Sequence, residues 1–285
     1  IINSRGDGGS TALMLAARMG DPATVNAILD HEKCDSTIIN ATDGNGMTAL
    51  MVAVEGGDLE VVKEILAHCD ADTINAKDNR GRTVLMEAAG RGNLEAVKAI
   101  LDHPANNINV AGGIGYTALM VAAGLGELEA VKAILAHPAV KINAKDKHGN
   151  TALMLAVEAG NLEVVKEILA HPTVNINAQD NEGRTALMIA ARRGDTAIVE
   201  AILAHEKCDA ETINAKDKHG NTALMVAAGL GKLEAVKAIL AHPAVKINAK
   251  NKDGHTALML AVEEGNLEVV KEILAHPTVN INDTD

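Results

Sequence analysis

Histidine is the residue type whose spacing in this chain first suggests chemistry. His31, His68, His103, His137, His171, His205, His242 and His276 recur every 34 to 37 residues, each just beyond an apolar run. A ladder of imidazoles invites metal ions, but equivalent atoms in neighbouring packed helices lie about 8–10 Å apart whereas zinc ligands sit about 2 Å from the ion. No metal site is expected. A histidine near a helix C-terminus instead favours the negative end of the dipole and can reach the last carbonyls. Other reactive types are sparse: serine occurs only as Ser4, Ser10 and Ser36, and no Gly-x-Ser-x-Gly elbow exists. Cys34, Cys69 and Cys208 have no metal-binding spacing and form an odd set, which indicates no disulfide framework. No nucleophile, base and orienting group can be named together, so the chain reads as a non-enzyme. The glycine-rich stretch Val110-Ala111-Gly112-Gly113-Ile114-Gly115-Tyr116 fits neither dinucleotide nor P-loop spacing, and no cofactor is expected.

Composition narrows the partners. The 285 residues carry 38 acidic and 26 basic side chains, a net charge of −12. Duplex nucleic acid is bound by neutralising phosphates with Lys and Arg, and single strands by stacking on aromatic faces. With no Phe or Trp and only Tyr116, the chain suits neither. No apolar run is long enough to cross a bilayer, the opening Ile1-Ile2-Asn3-Ser4-Arg5 is no secretory leader, and no membrane partner is expected. Unpaired cysteines point to a reducing interior, so an intracellular, cytoplasmic location is expected. Arg5-Gly6-Asp7 reads either as an adhesive tripeptide or as a flexible lead-in. Asn40-Ala41-Thr42 and Asn282-Asp283-Thr284 match the glycosylation pattern, but each Asn falls at a repeated Ile-Asn position and reads as structural.

The elements that would position these residues come from one repeated stretch, Thr117 to Asn150. Thr-Ala-Leu-Met or Thr-Val-Leu-Met begins at Thr11, Thr48, Thr83, Thr117, Thr151, Thr185, Thr222 and Thr256, a period that marks a stacked array. Thr117 is a good N-cap for a helix from about Ala118 to Leu125, which Gly126 breaks. Leu128, Val131, Ile134 and Leu135 form one apolar stripe of a second helix, which Pro138 ends. Asp58, Asn93, Asn161, Asp195 and Asn266 are placed to cap second helices. Ile142 to Asn150 then carries the Asp and Gly of a tight turn between extended arms, a finger leading to the next Thr. A single all-α solenoid over residues 1–285 is expected, its core made of Ala, Leu, Ile, Val and Met.

This pattern resembles the ankyrin repeat. The Asp-x-x-Gly-x-Thr-Ala-Leu-Met-x-Ala order, the mid-repeat Gly and the closing Ile-Asn-Ala match over nearly the whole chain. Two departures recur: Ala118 and Met120 stand where the family usually has Pro and His, and His137-Pro138-Ala139-Val140-Lys141 replaces a shorter corner. The resemblance implies stacked helix-turn-helix repeats with β-hairpin-like fingers, and recognition of a partner protein through the concave face formed by fingers and first helices. The positions that vary there are the expected contacts: Arg80, Arg82, Arg91, Ile114, Tyr116, Leu125, Lys147, His148, Glu158, Arg192, Arg193, Lys218, His219 and Leu230. Ile114, Tyr116 and Leu125 would be apolar anchors and the arginines carboxylate partners. A solvated face, a Tyr116 lying against the adjacent finger, a structural or engineered scaffold with no natural ligand, and a small-molecule or nucleotide-sensing regulator stand as alternative readings.

Repeats four and five return almost unchanged as repeats seven and eight. From Thr117–Asn177 to Thr222–Asn282 the differences are Glu127 to Lys232, Asp146 to Asn251, His148 to Asp253, Asn150 to His255 and Ala159 to Glu264. The corner His205-Glu206-Lys207-Cys208-Asp209 of repeat six resembles His31-Glu32-Lys33-Cys34-Asp35 of repeat one. Repeat eight keeps an interior pattern at Leu258, Leu260, Leu267, Val270 and Ile273, whereas terminal repeats need a polar outer face. Either the array continues beyond it or another chain covers it, and end-to-end self-association through this uncapped C-terminal repeat is expected.

Overall fold

Each Thr-led segment starts a helix because its hydroxyl takes up a backbone donor that the first turn leaves over. Thr11, Thr48, Thr83, Thr117, Thr151, Thr185, Thr222 and Thr256 each accept from the amide of the methionine three residues on, at 3.3–3.4 Å. In four of them, Thr11, Thr117, Thr222 and Thr256, the methionine Sδ also receives the Thr amide at 3.4–3.5 Å. Sulfur is a weak acceptor, yet it closes the cap from the other side. Methionine therefore ties the finger to the helix at the position where the family usually has histidine.

The structure, a computed structural model, describes residues 5–281; Ser4 and the triplet Asn282-Asp283-Thr284 lie outside it. Its contacts gather into two units, Ile1–Asp146 and Lys147–Asp285. The first holds α1 (Ala12–Met19), α2 (Pro22–Leu29), α3 (Ser36–Ile39), α4 (Ala49–Gly56), α5 (Leu59–Leu66), α6 (Ala71–Ile74), α7 (Val84–Gly90), α8 (Leu94–Asp102), α9 (Ala118–Leu125) and α10 (Leu128–Leu135). The second holds α11 (Ala152–Ala159), α12 (Leu162–Leu169), α13 (Ala186–Arg193), α14 (Thr196–Leu203), α15 (Ala210–Ile213), α16 (Ala223–Gly229), α17 (Leu233–Leu240), α18 (Ala257–Glu263) and α19 (Leu267–Leu274). In the first, α1, α4, α7 and α9 pack side by side as one row and α2, α5, α8 and α10 as another; in the second, α11, α13, α16, α18 and α12, α14, α17, α19 do the same. Both are all-α stacks of helix hairpins.

Alanine lets the rows approach. Ala17, Ala53, Ala88 and Ala122 of the first unit, and Ala156, Ala190, Ala227 and Ala261 of the second, are fully buried beside Leu13, Leu50, Met120, Met154 and Leu187. Every such layer relies on its neighbours, and in repeat eight Met259, Val262, Leu267 and Leu274 are left exposed. Each bare aliphatic side chain forgoes roughly 1.5–3 kcal/mol of burial.

The fingers are hairpin-like turns, without strand among the described residues, closed by backbone bonds such as Asp78 N–H to Arg82 O (2.9 Å) and Gly81 N–H to Asp78 O (2.8 Å). Two local expectations are corrected. Asn266 makes no cap; its amide points back to the carbonyls of Ala228 (3.2 Å) and Gly229 (3.5 Å). Among the described residues only His68 reaches a late carbonyl of its own helix, that of Glu64 at 2.9 Å, while His205 Nε2 reaches the Leu169 carbonyl at the end of α12 at 3.0 Å. The other seven histidines turn away, and Nδ1 accepts the amide two residues on, as Ala139 N–H does to His137 at 3.2 Å. In the five His-Pro corners the reason is proline: Pro138 and its equivalents have no amide hydrogen, so the first free donor past the helix is the following residue.

The long corners hold the short helices α3, α6 and α15, each capped by an aspartate. Hydrogen bonds from Thr37, Thr73 and Thr212 hold Asp35, Asp70 and Asp209 below the ordinary carboxylate value of 3.8. A depressed folded pKa contributes stability that is present above the unfolded value and lost as pH falls through the folded one. Protection from amide exchange at Ile39, Ile74 and Ile213, measured relative to the unfolded chain at the same pH, is therefore expected to hold down to pH 3.8 and to fall only below it, and Asp70→Ala should remove the protection of Ile74 at neutral pH as well. Cys69 is buried, donates to the Ile65 carbonyl at 3.3 Å, and its thiol is pushed up to about 12 by burial and by Asp70. Thiol-reagent labelling of native protein at neutral pH should leave Cys69 unmodified while the partly exposed Cys34 and Cys208 react.

Candidate functional site

The charges expected to meet a partner are placed by the last turns of the first helices and by the fingers. Several already have partners inside the protein. In the first unit Glu87 stands where other repeats carry Leu15, Val52 or Val121, and only 8% of it is exposed. Its carboxylate takes Arg82 at 2.5 Å and Arg91 at 2.5 Å; Arg82 also holds Asp78 at 2.9 Å, and Arg91 reaches Glu55 of the preceding repeat at 3.2 Å. Two cations and three carboxylates thus form one chain of charge-assisted bonds. In the second unit Arg192 donates to both oxygens of Glu158, at 3.0 and 3.1 Å, and Arg184 holds Asp180 at 2.7 Å. The alternation of sign between repeats is in these places an ion pair between layers.

Other expected contacts remain on the surface. Arg80 and Arg193 are exposed and make no ion pair among the described residues. Lys218 faces Glu182 at 3.8 Å with both side chains mostly exposed, which is worth little. Ile114, Leu125 and Leu230 are exposed large apolar side chains. Lys147, His148 and His219 lie on fingers with exposed side chains, while their backbones join neighbours: Asn181 N–H donates to His148 O at 2.8 Å and Lys252 N–H to His219 O at 2.9 Å. Tyr116 is half-buried, and burial together with Asp146 of the following finger pushes its phenol pKa up. Its own finger is special because Gly112 replaces the usual Asp: a Cβ there would stand 2.8 Å from the Gly81 carbonyl. Backbone packs on backbone where neighbours use an Asp side chain.

Sequence reasoning singled out Leu230 and His219 but not the hollow they share. In the second unit the fingers and first helices of repeats seven and eight enclose an open cleft of about 450 Å³, floored by Val226, Gly229, Leu230 and Leu260 and rimmed by His219, Asn251, Asp253, His255 and Glu264. Gly229 makes room: it holds the position of Glu158 and Arg192, which fill the equivalent space with a side chain. His255 Nδ1 lies 3.6 Å from Glu263. The hollow is in the size range of sites that take a side chain or small ligand. A signal was present in the sequence, since Asn251, Asp253, His255 and Glu264 are four of the five positions at which repeats seven and eight depart from four and five. Among the described residues no three His, Cys, Asp or Glu side chains are grouped as metal ligands, and no helix is long and apolar enough to cross a membrane.

Glu87→Gln removes a buried charge that two guanidinium groups share, and is expected to cost about 2–3 kcal/mol. Glu87→Val should cost less, because the aliphatic side chain restores the pattern of the other repeats while Arg82 keeps Asp78 and Arg91 keeps Glu55. Thermal denaturation midpoints of the two variants check the order.

A search of curated proteins returns no match. The family model described as ankyrin repeats (3 copies) matches residues 2–75, 57–146, 105–180, 138–214, 169–251 and 206–285, overlapping windows that leave no gap between them. Ankyrin repeats generally act as protein-interaction modules and are typically not enzymes. Thr-capped helix hairpins, finger turns and family model agree, and the chain belongs to the ankyrin-repeat family.

Proposed function

We propose that this chain recognises a partner protein through finger tips and first-helix ends, with the cleft of repeats seven and eight receiving an apolar side chain of the partner. The observation that carries this reading is the clustering of substitutions: nearly all the differences between two otherwise identical repeat pairs fall on the lining of one hollow. Buried aliphatic positions were held constant while this rim changed, the pattern of a surface adjusted for a ligand. The floor is aliphatic, and the lining holds the acids Asp253 and Glu264 but no Lys or Arg. A segment with one large apolar residue flanked by Lys or Arg fits both features. Leu125, Ile114, Arg80 and Arg193 are further contacts on this reading, because their side chains are exposed and not engaged by neighbouring carboxylates. Arg82, Arg91, Glu158 and Arg192 contribute to layer stacking first. Nucleic acid is disfavoured as the partner by the net charge of −12, and the free cysteines suit a cytoplasmic setting.

Selection of random displayed peptides on the intact chain tests the reading. Enrichment of an apolar residue beside Lys or Arg is expected, with binding lost in Leu230→Glu and in Gly229→Arg, which fills the hollow. No enrichment, or enrichment indifferent to both substitutions, overturns it.

A further inference from the structure

On the second helices one repeat breaks a charge pattern that its neighbours keep. In repeats two to five, seven and eight a glutamate near the helix start pairs with a lysine three residues on, at 2.7–3.5 Å, as Glu163 does with Lys166 and Glu234 with Lys237. Repeat six has Ala197 and Glu200 at these two positions. Exposed pairs of this kind contribute little to stability, so the stack tolerates the loss. Its consequence is electrostatic. A helix ends on carbonyls without donors, and a cation in the last turn offsets their partial negative charge. Lys166 and Lys237 stand there in α12 and α17, the helices on either side. The last turn of α14 has no basic residue and instead carries the Glu200 carboxylate, which forms no ion pair among the described residues.

The same turn borders a groove. Between α14 and α17 lies a hollow of about 350 Å³ walled by Leu203, Ala204, Ala238 and Ala241, with Glu200 and His242 also in its lining. Leu203 is part-exposed there, whereas its counterparts Leu169 and Leu240 are 6% and 7% exposed. His242 Nδ1 accepts the Ala244 amide at 3.3 Å, which leaves Nε2–H to donate. His205, one repeat earlier, gives its Nε2–H to the Leu169 carbonyl at 3.0 Å; His242 makes no such bond among the described residues. An aliphatic floor, an unpaired carboxylate and an uncommitted N–H thus meet at one place, where the ends of two helices add negative potential.

We propose that this groove is a second protein-recognition surface, which takes a partner segment carrying a leucine-sized aliphatic side chain next to a Lys or Arg. The aliphatic group lies against Leu203 and the alanines. The cation meets Glu200 and the end of α14, where it supplies the charge that Lys166 and Lys237 supply to the neighbouring helices. A backbone carbonyl of the segment takes the His242 Nε2–H. The groove shares no residue with the cleft of repeats seven and eight, and its binding is independent of that cleft.

Photolabelling of the intact chain with acetyl-photoleucine-arginine amide, whose diazirine inserts on irradiation into the groups it touches, tests this. Label is expected within residues 194–207, the tryptic segment that holds Leu203 and Ala204. Labelling should fall about tenfold when glutamate replaces the arginine of the probe, since a like charge then faces Glu200. The double substitution Ala197→Glu with Glu200→Lys rebuilds the ion pair of the neighbouring repeats, and should abolish the label without lowering the melting midpoint. Gly229→Arg, which fills the cleft, should leave the label in place. No label on residues 194–207, equal labelling by the two probes, or label that survives the double substitution overturns the proposal, as does loss of the label in Gly229→Arg.

Discussion

A layer made of two short helices cannot bury its own apolar stripe, so each core side chain depends on the layer beside it. That dependence sets the residue types. Large aromatic rings would hold the rows apart, and the chain has no Phe or Trp; fully buried alanines such as Ala53, Ala122, Ala156 and Ala227 line each row instead. It also makes burial a property of position in the stack rather than of sequence. Met154 and Met259 sit in identical surroundings along the chain, yet one is sealed and the other bare.

The same interdependence decides which charges are available to a partner. Residues one repeat apart, 34 to 36 positions in sequence, meet across the stack, and a carboxylate on one repeat finds a guanidinium on the next. Glu55 with Arg91 and Glu158 with Arg192 are such pairs. Their side chains are 42–50% exposed, so the pairs are of modest strength, but a guanidinium held in this way must give up a partner before taking another. Apolar and glycine positions carry no such cost. Gly229, Leu230 and Leu125 lie at the same helix ends as the paired charges and compete with nothing.

Most of the fold was legible because its signals are local. A Thr before an apolar run, a Gly after it and a Pro beyond the second helix each act within one turn, and the helices begin where those residues say. The corners were harder. Asp35, Asp70 and Asp209 open the short helices α3, α6 and α15, and an aspartate two or three residues before Thr is a readable cap, but the regular repeats have no helix there to suggest one. The histidines were misjudged for a different reason: a dipole argument gives an energy without a direction, whereas the amide two residues past the ring, in the His-Pro corners and at His31 and His205 alike, decides which way it turns. Glu87 was only half legible: Arg91 lies at i+4 and helical spacing brings it alongside, but the second guanidinium, Arg82 of the preceding finger, meets it only in the fold. The cleft lies at the limit of what sequence can say. Its changed rim was visible as substitutions, and its floor required knowing that Leu230 and Leu260, thirty residues apart, stand side by side.

The lack of aromatic residues has a consequence for recognition as well as for packing. Interfaces draw most of their energy from a few buried anchors, commonly Trp, Tyr or Arg. Here the one Tyr is half-buried beside Asp146, and two of the arginines at the helix ends, Arg91 and Arg192, are engaged. A partner must therefore bring the anchor, and the protein must supply the recess. Val226, Gly229, Leu230 and Leu260 make a recess by leaving volume out rather than by adding a reactive group. On the proposed reading specificity rests on the rim, where Asp253, His255 and Glu264 replace His148, Asn150 and Ala159 without disturbing a single buried aliphatic position. An array built this way can change what it binds by editing a few surface residues, because nothing that holds the layers together depends on them.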